Sequence, residues 1–221
     1  MFSALFNLIF PRYCAYCEAY LKRSEQIVCA SCLEKAPFRS SNFENELLKE
    51  TLQCFFRVEN AYSLLFFKSQ NFTSQLIHDL KYHNKPEIGV FLGEKLGKKL
   101  PQDFDWIIPV PLHPKRLKER GYNQSECIAK GISNILKIPV NTTSLHRTVN
   151  NPKQAHTQST EERLQNVLNI FSVENVAEFE GKHILIIDDV ITSGSTIYQA
   201  VFPFLQLKDI KISVACLSYA R

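Results

Sequence analysis

His183-Ile184-Leu185-Ile186-Ile187-Asp188-Asp189-Val190-Ile191-Thr192-Ser193-Gly194-Ser195-Thr196 is the stretch on which the fold turns. An apolar run rich in isoleucine reads as a strand buried on both faces, the hallmark of a parallel sheet. The acids Asp188 and Asp189 stand where that strand is expected to end. Thr192, Ser193, Gly194, Ser195 and Thr196 then form a small-residue loop that turns into a helix near Ser195. Such a loop presents free backbone N–H groups and the positive end of the helix dipole, a site suited to a phosphate. Gly194 lets the backbone approach a ligand closely or adopt a positive φ. Two carboxylates beside a phosphate cradle point to a ligand carrying both a phosphate and vicinal hydroxyls. The plainer alternative is a buried strand with an acidic end and a Ser/Thr-capped helix.

This stretch resembles the phosphoribosyl pyrophosphate (PRPP) motif of type I phosphoribosyltransferases, with every position filled. The resemblance implies that Asp188 and Asp189 hold the ribose hydroxyls. It also implies that Val190, Thr192, Ser193, Gly194, Ser195 and Thr196 complete the PRPP site around the 5-phosphate, with Mg²⁺ accompanying the ligand. Asp188 and Asp189 are the candidate catalytic residues.

A second motif lies near the start. Cys14-Ala15-Tyr16-Cys17 is followed by Cys29-Ala30-Ser31-Cys32, four of the chain's seven cysteines. Two Cys-x-x-Cys pairs at this separation suit a closed tetrahedral site, which implies structural zinc held by Cys14, Cys17, Cys29 and Cys32. The odd cysteine total and the lack of a secretion signal argue against a disulfide framework. Four thiolates and one Zn²⁺ take the formal charge from +4 to about +2. Cys54, Cys127 and Cys216 stand alone in apolar or helical contexts and read as small core residues.

The chain's 221 residues suffice for one α/β domain and a small module. A hydrophobic share of 45% and a charged share of 22% are those of a soluble globular protein. The net charge is too small to imply nucleic-acid binding by itself. No apolar run reaches the length of a membrane span. The apolar start, residues 1–10, lacks a basic lead and a cleavage site, so a cytoplasmic location is expected. That segment reads as a short helix docking on the body, with a membrane-surface or partner-binding helix as the alternative.

Residues 37–45 read as a polar linker, giving a lead-in helix and zinc module over 1–45 and a ligand-binding domain over 46–221. Within the latter, helices are expected over 46–53, 74–82, 88–100, 124–136, 160–168 and 195–207. Strands are expected over 61–68, 106–111, 140–147, 183–187 and 210–219. Strands alternating with helices imply a mostly parallel sheet, hence an α/β fold.

Pro109-Val110-Pro111-Leu112-His113-Pro114-Lys115-Arg116-Leu117-Lys118-Glu119-Arg120-Gly121-Tyr122-Asn123-Gln124 resembles the signature of the ComF family of competence proteins. Leu80-Lys81-Tyr82, Arg147, Gln154 and Glu162-Arg163 with Asn166 fit the same pattern, as do the cysteine pairs. The resemblance implies a type I phosphoribosyltransferase fold preceded by a small zinc-ribbon-like module. It also implies a role in natural transformation, in which imported single-stranded DNA is handled inside the cell.

The charges make chemical sense beside a pyrophosphate, whose negative charge must be held by cations. Lys115, Arg116 and Arg120 follow a strand end, where ligands bind in open α/β sheets. Arg116 and Arg120 share a face if that stretch is helical. Lys81, Arg147 and Arg163 are further candidates for pyrophosphate or DNA phosphates. Tyr16, Tyr82 and Tyr122 are candidate base-stacking residues. Three functions stay open: DNA handling with PRPP binding, an active phosphoribosyltransferase in nucleotide metabolism resembling an amidophosphoribosyltransferase, and a PRPP sensor. Other DNA-uptake proteins are possible partners.

Overall fold

A computed structural model describes residues 11–39, 42–67, 71–147 and 170–220. The lead-in segment 1–10, the helix expected over 160–168, and Gln154, Glu162, Arg163 and Asn166 lie outside the described residues.

The core is a four-stranded parallel sheet of β1 (Ala61–Phe66), β2 (Trp106–Pro109), β5 (His183–Ile191) and β6 (Lys211–Tyr219), in the order β1-β6-β5-β2. β5 lies inside the sheet and is covered on both sides. Leu185 and Ile187 face one apolar layer, while Ile184 and Ile186 face the other. That double burial is the reason the run is apolar at every position. One layer is built from α3 (Phe72–Tyr82), α4 (Pro86–Gly97) and α6 (Gln124–Leu136). The other holds α2 (Asn42–Gln53), α7 (Ser195–Val201) and the antiparallel pair β3 (Leu145–Arg147) with β4 (Phe171–Val173). The α/β expectation therefore holds.

Several boundaries move. β5 does not stop before the acids: Asp188 and Val190 still pair with Cys216 and Ser218 of β6. The strand expected over 140–147 divides, because Val140 makes one isolated parallel bridge to Ile107 and the Asn141 side chain then accepts from the Thr143 and Ser144 N–H groups in a turn. Only residues 145–147 pair, and with β4, a strand too short for periodicity to reveal. The last helix ends at Val201, followed by a 3-10 turn over Phe202–Phe204 that carries Pro203. Within the linker expected over 37–45, Phe38 bridges to Leu65 and α2 begins at Asn42. Cys216 is fully buried as expected, whereas Cys54 is exposed.

α4 and α6 meet backbone to backbone through glycine. Gly89, Gly93 and Gly97 recur every four residues along α4 and are all buried. A Cβ placed on Gly131 of α6 would fall 2.1 Å from the Val90 carbonyl oxygen and 2.9 Å from the Gly93 Cα. The obstacle is main chain, which cannot rotate aside. Gly131→Ala is expected to cost about 3 kcal/mol, read as a drop in urea midpoint. An Ala substitution at Gly121, where a Cβ meets nothing within 4 Å, is the comparison, its cost being only that of a φ of +82°.

The cysteine segment joins this body. Tyr13 bridges to Tyr20, the Cys14 N–H bonds the Ala19 carbonyl at 2.8 Å, and Glu18 takes a positive φ to close the turn. Cys29 sits at the N-cap of α1 (Ala30–Glu34). Cys14, Leu21 and Val28 are buried within the same apolar layer as Leu76, Leu80 and Ile88. The Gln75 amide donates to the Ala15 and Tyr16 carbonyls, fastening the segment to α3.

Candidate functional site

At the C-terminal edge of the sheet, the ends of β2, β3 and β5 and the N-terminus of α6 surround a cavity of about 270 Å³. Open α/β sheets bind ligands at this edge. Its lining includes Asp188, Asp189, Val190 and Thr196 together with the cations Lys81, Arg116, Arg120 and Arg147. Residues far apart in the chain thus meet: Lys81 from the last turn of α3, the arginines from α5 (Pro114–Arg120) and β3, and the acids from β5.

The helical form of 114–120 brings Arg116 and Arg120 to one face. His113 is its N-cap, its Nδ1 accepting from the Lys115 N–H at 3.2 Å. Lys115 itself is exposed and lies outside the lining of this cavity.

The acids are held from two helices. Ser125 Oγ donates to Asp188 Oδ1 at 3.1 Å, and the Asp189 N–H donates to the same oxygen at 2.8 Å. Lys81 Nζ pairs with Asp189 Oδ1 at 2.8 Å. Burial first, and then the Asp189 charge, push the Asp188 carboxyl up to about 7, against the pull of its hydrogen bonds and of Lys81. Across the cavity, burial and then the neighbouring Arg116 charge lower the affinity of Arg147 for its proton, while Asp188 supports it. A cavity with crowded arginines facing it is electrostatically suited to anions.

Thr192, Ser193, Gly194, Ser195 and Thr196 enclose a small hollow of about 30 Å³ beside it, and Asp188, Val190 and Thr196 line both spaces. Gly194 has a φ of +82°, one of the two uses expected of a glycine there. A Cβ there would also come within 3.1 Å of Leu52 of α2, so the loop is pressed against that helix.

Sequence reasoning missed Ser125 and Gln124. Both are buried at the start of α6, and Gln124 lines the cavity. Asn123 carries the missed signal: an N-cap directly after a basic turn aims the first turn of a helix at the strand ends. Its side chain accepts from the Ser125 N–H and donates to the Val110 carbonyl.

The four cysteines Cys14, Cys17, Cys29 and Cys32 form a second centre. Their sulfurs all lie within 4.8 Å of one another, and Cys17 Sγ is 3.7 Å from Cys29 Sγ. Tetrahedral ligation with Zn–S distances of about 2.3 Å gives S···S edges of about 3.8 Å, so the group fits a metal ion of that kind. The Cys29 N–H points at Cys14 Sγ at 3.4 Å. Burial raises the Cys14 thiol, yet the N–H groups of Cys17, Cys29 and Tyr16 outweigh it and bring the thiol down to about 7.

Among the described residues no helix is long and apolar enough to cross a membrane.

A family model described as a phosphoribosyl transferase domain matches residues 123–221. The chain is 33% identical over 155 residues to the DNA utilization protein YhgH of Shigella flexneri, an alignment covering 65% of this chain and 66% of that one. It is 40% identical over 103 residues to competence protein F of Haemophilus influenzae, covering 45% and 42% of the two chains. It is 29% identical over 162 residues to competence protein ComFC of Bacillus subtilis, covering 73% and 55%. The alignments span at most about two thirds of these relatives' lengths.

Proposed function

From a chain that is a homologue of the competence F, ComFC and YhgH proteins and carries a phosphoribosyl transferase domain, we infer a protein of natural transformation that handles imported single-stranded DNA and binds PRPP with Mg²⁺ at the sheet edge. The observation that carries the reading is the row of spaces at that edge. The hydroxylated loop bounds the small hollow, Asp188 and Thr196 line both spaces, and the larger one also carries Asp189, Lys81, Arg116, Arg120 and Arg147. One ligand carrying a 5-phosphate, a ribose and a pyrophosphate suits these adjoining linings.

Each group then has a task that follows from its chemistry. The N–H groups and hydroxyls of residues 192–196 hold the 5-phosphate. Asp188 and Asp189 accept hydrogen bonds from the ribose hydroxyls, and Ser125 fixes the Asp188 carboxylate for that purpose. The arginines grip pyrophosphate oxygens two at a time. Lys81 serves as the resident counter-ion of Asp189 and is close enough to turn toward the ligand's phosphates. Mg²⁺ supplies charge neutralisation for the pyrophosphate when it arrives with the ligand. Structural zinc on Cys14, Cys17, Cys29 and Cys32 holds the cysteine segment 11–38 against the ligand-binding domain.

Turnover as a phosphoribosyltransferase is a second reading, favoured by the same pocket. Departure of pyrophosphate would leave positive charge at the anomeric carbon beside Asp188 and Asp189, where paired carboxylates stabilise it. The acceptor would be a base, an amine or water. A sensor that binds PRPP without turnover uses identical contacts, so pyrophosphate release is the measurement that separates the two.

Isothermal calorimetry with PRPP and Mg²⁺ tests the pocket, and a saturable heat with one site per chain is expected. An absent heat removes the reading. Binding to labelled single-stranded DNA is expected to weaken steeply with salt, with a slope of about 0.7 per phosphate contacted. A flat salt response removes the DNA role.

A further inference from the structure

The cavity at the sheet edge adjoins a second hollow of about 330 Å³ bounded by Lys81, Tyr82, Asn84, Arg116, Glu119 and Arg120. Lys81, Tyr82, Arg116 and Arg120 line both spaces. The annex therefore sets three cations against one carboxylate, and those three cations also face the sugar-phosphate cavity.

Tyr82 gives the annex its character. It is 65% exposed, the highest value among the exposed large apolar and aromatic side chains of the described residues. Its ring rests against His78 with centroids 4.9 Å apart, and the Arg120 guanidinium carbon lies 5.5 Å from its centre. The ring is thus propped in place at the last turn of α3 and not folded onto the body. The other tyrosines considered for stacking are engaged. The Tyr122 hydroxyl donates to the Leu80 carbonyl, and Tyr16 packs edge-on against Phe72. An exposed aromatic ring with the Arg120 guanidinium over it, and Arg116 lining the same hollow, fits a ligand that is itself a flat ring bearing a phosphate: the ring stacks, and the phosphate is taken bidentately.

We propose that this annex binds a nucleotide unit, with its base on Tyr82 and its phosphate on Arg116 and Arg120, and that its occupation and that of the PRPP cavity oppose each other because they draw on the same cations. The second half rests on the reading of the main cavity as a PRPP site. The antagonism is reciprocal by thermodynamic necessity: the factor by which PRPP weakens nucleotide binding equals the factor by which the nucleotide weakens PRPP binding. A free nucleotide and a single strand share this chemistry, and the test separates them.

The experiment uses the full zinc-loaded chain, fluorescence anisotropy with a short labelled oligothymidylate, and calorimetry with thymidine monophosphate. Tyr82→Ala is expected to weaken oligothymidylate binding about tenfold, and Tyr82→Phe to retain it, because the ring and not the hydroxyl does the stacking. PRPP with Mg²⁺ is expected to displace the strand, and the strand to weaken PRPP by the same factor. Monophosphate binding that depends on Tyr82 identifies free nucleotides as ligands, and strand binding without it identifies single-stranded nucleic acid. Unchanged strand affinity in Tyr82→Ala, or independent binding of the two ligands, overturns the annex and leaves the PRPP titration of the wild-type chain standing. Absence of PRPP binding in the wild-type chain overturns the main-cavity reading and, with it, the antagonism.

Discussion

Replacing Asp188 and Asp189 together with asparagine lowers the affinity for PRPP–Mg²⁺ at least about a hundredfold, since each carboxylate contributes charge-assisted hydrogen bonds worth about 1.5–3 kcal/mol. Calorimetry reads the loss directly, and wild-type affinity in the double variant would remove the ribose role from the acids. The single variant Asp188→Asn carries a sharper signature. In the free protein, burial and Asp189 raise the Asp188 carboxyl to about 7. A ribose hydroxyl donates to the ionised form, so below that pH the bound proton must leave before the ligand can be held. PRPP affinity is therefore expected to rise with pH through about 7 and level off above it, a dependence that Asp188→Asn abolishes.

The sign for folding is opposite. A carboxyl whose folded pKa exceeds its unfolded value of about 3.9 holds its proton more tightly in the folded chain. The contribution is complete below the unfolded value and is lost as pH rises toward 7. At pH 8 the wild-type chain carries a half-buried charge beside Asp189 that Asp188→Asn does not. The variant is expected to melt higher than wild type at pH 8 while binding PRPP less well. A fall in both properties would mean that Asp188 is a structural group.

The site was legible wherever one residue type performs one local task. The apolar run 183–187, the acids after it and the positive φ at Gly194 all follow from neighbours in sequence. So do the four cysteines, whose spacing alone sets their geometry. Tertiary placement was less legible. Gln124–Leu136 reads as a helix from its periodicity, yet nothing in that pattern says that Ser125 reaches an acid 63 residues away. Lys115 and Arg116 are chemically similar, equally exposed neighbours, and only the rotation of α5 puts the arginine and not the lysine on the cavity. The glycines of α4 show the same limit. Glycine lowers helix propensity, and its purpose here appears only when α6 is laid against it.

Removal of metal is expected to have the largest effect on folding. A structural zinc held by four thiolates contributes about 10 kcal/mol of binding free energy, more than a module of this size gains from its own core. Cys14 is 1% exposed and packs with Leu21 and Val28 against α3, so the metal would hold together both the cysteine turns and their apolar contact with the domain. Strong chelation, or Cys14→Ser with Cys29→Ser, is expected to release about one zinc per chain by metal analysis and to open segment 11–38 to limited proteolysis. Hydrogen exchange should then accelerate at Gln75 and its neighbours on α3, which the Ala15 and Tyr16 carbonyls anchor. β5 and β6 should keep their protection, because their cover on the opposite face is α2 and α7, away from the cysteines. Full protection of 11–38 after quantitative metal removal would show that the cysteine turns hold by packing alone. Loss of protection in β5 would show that the metal supports the sheet itself and not only its lead-in.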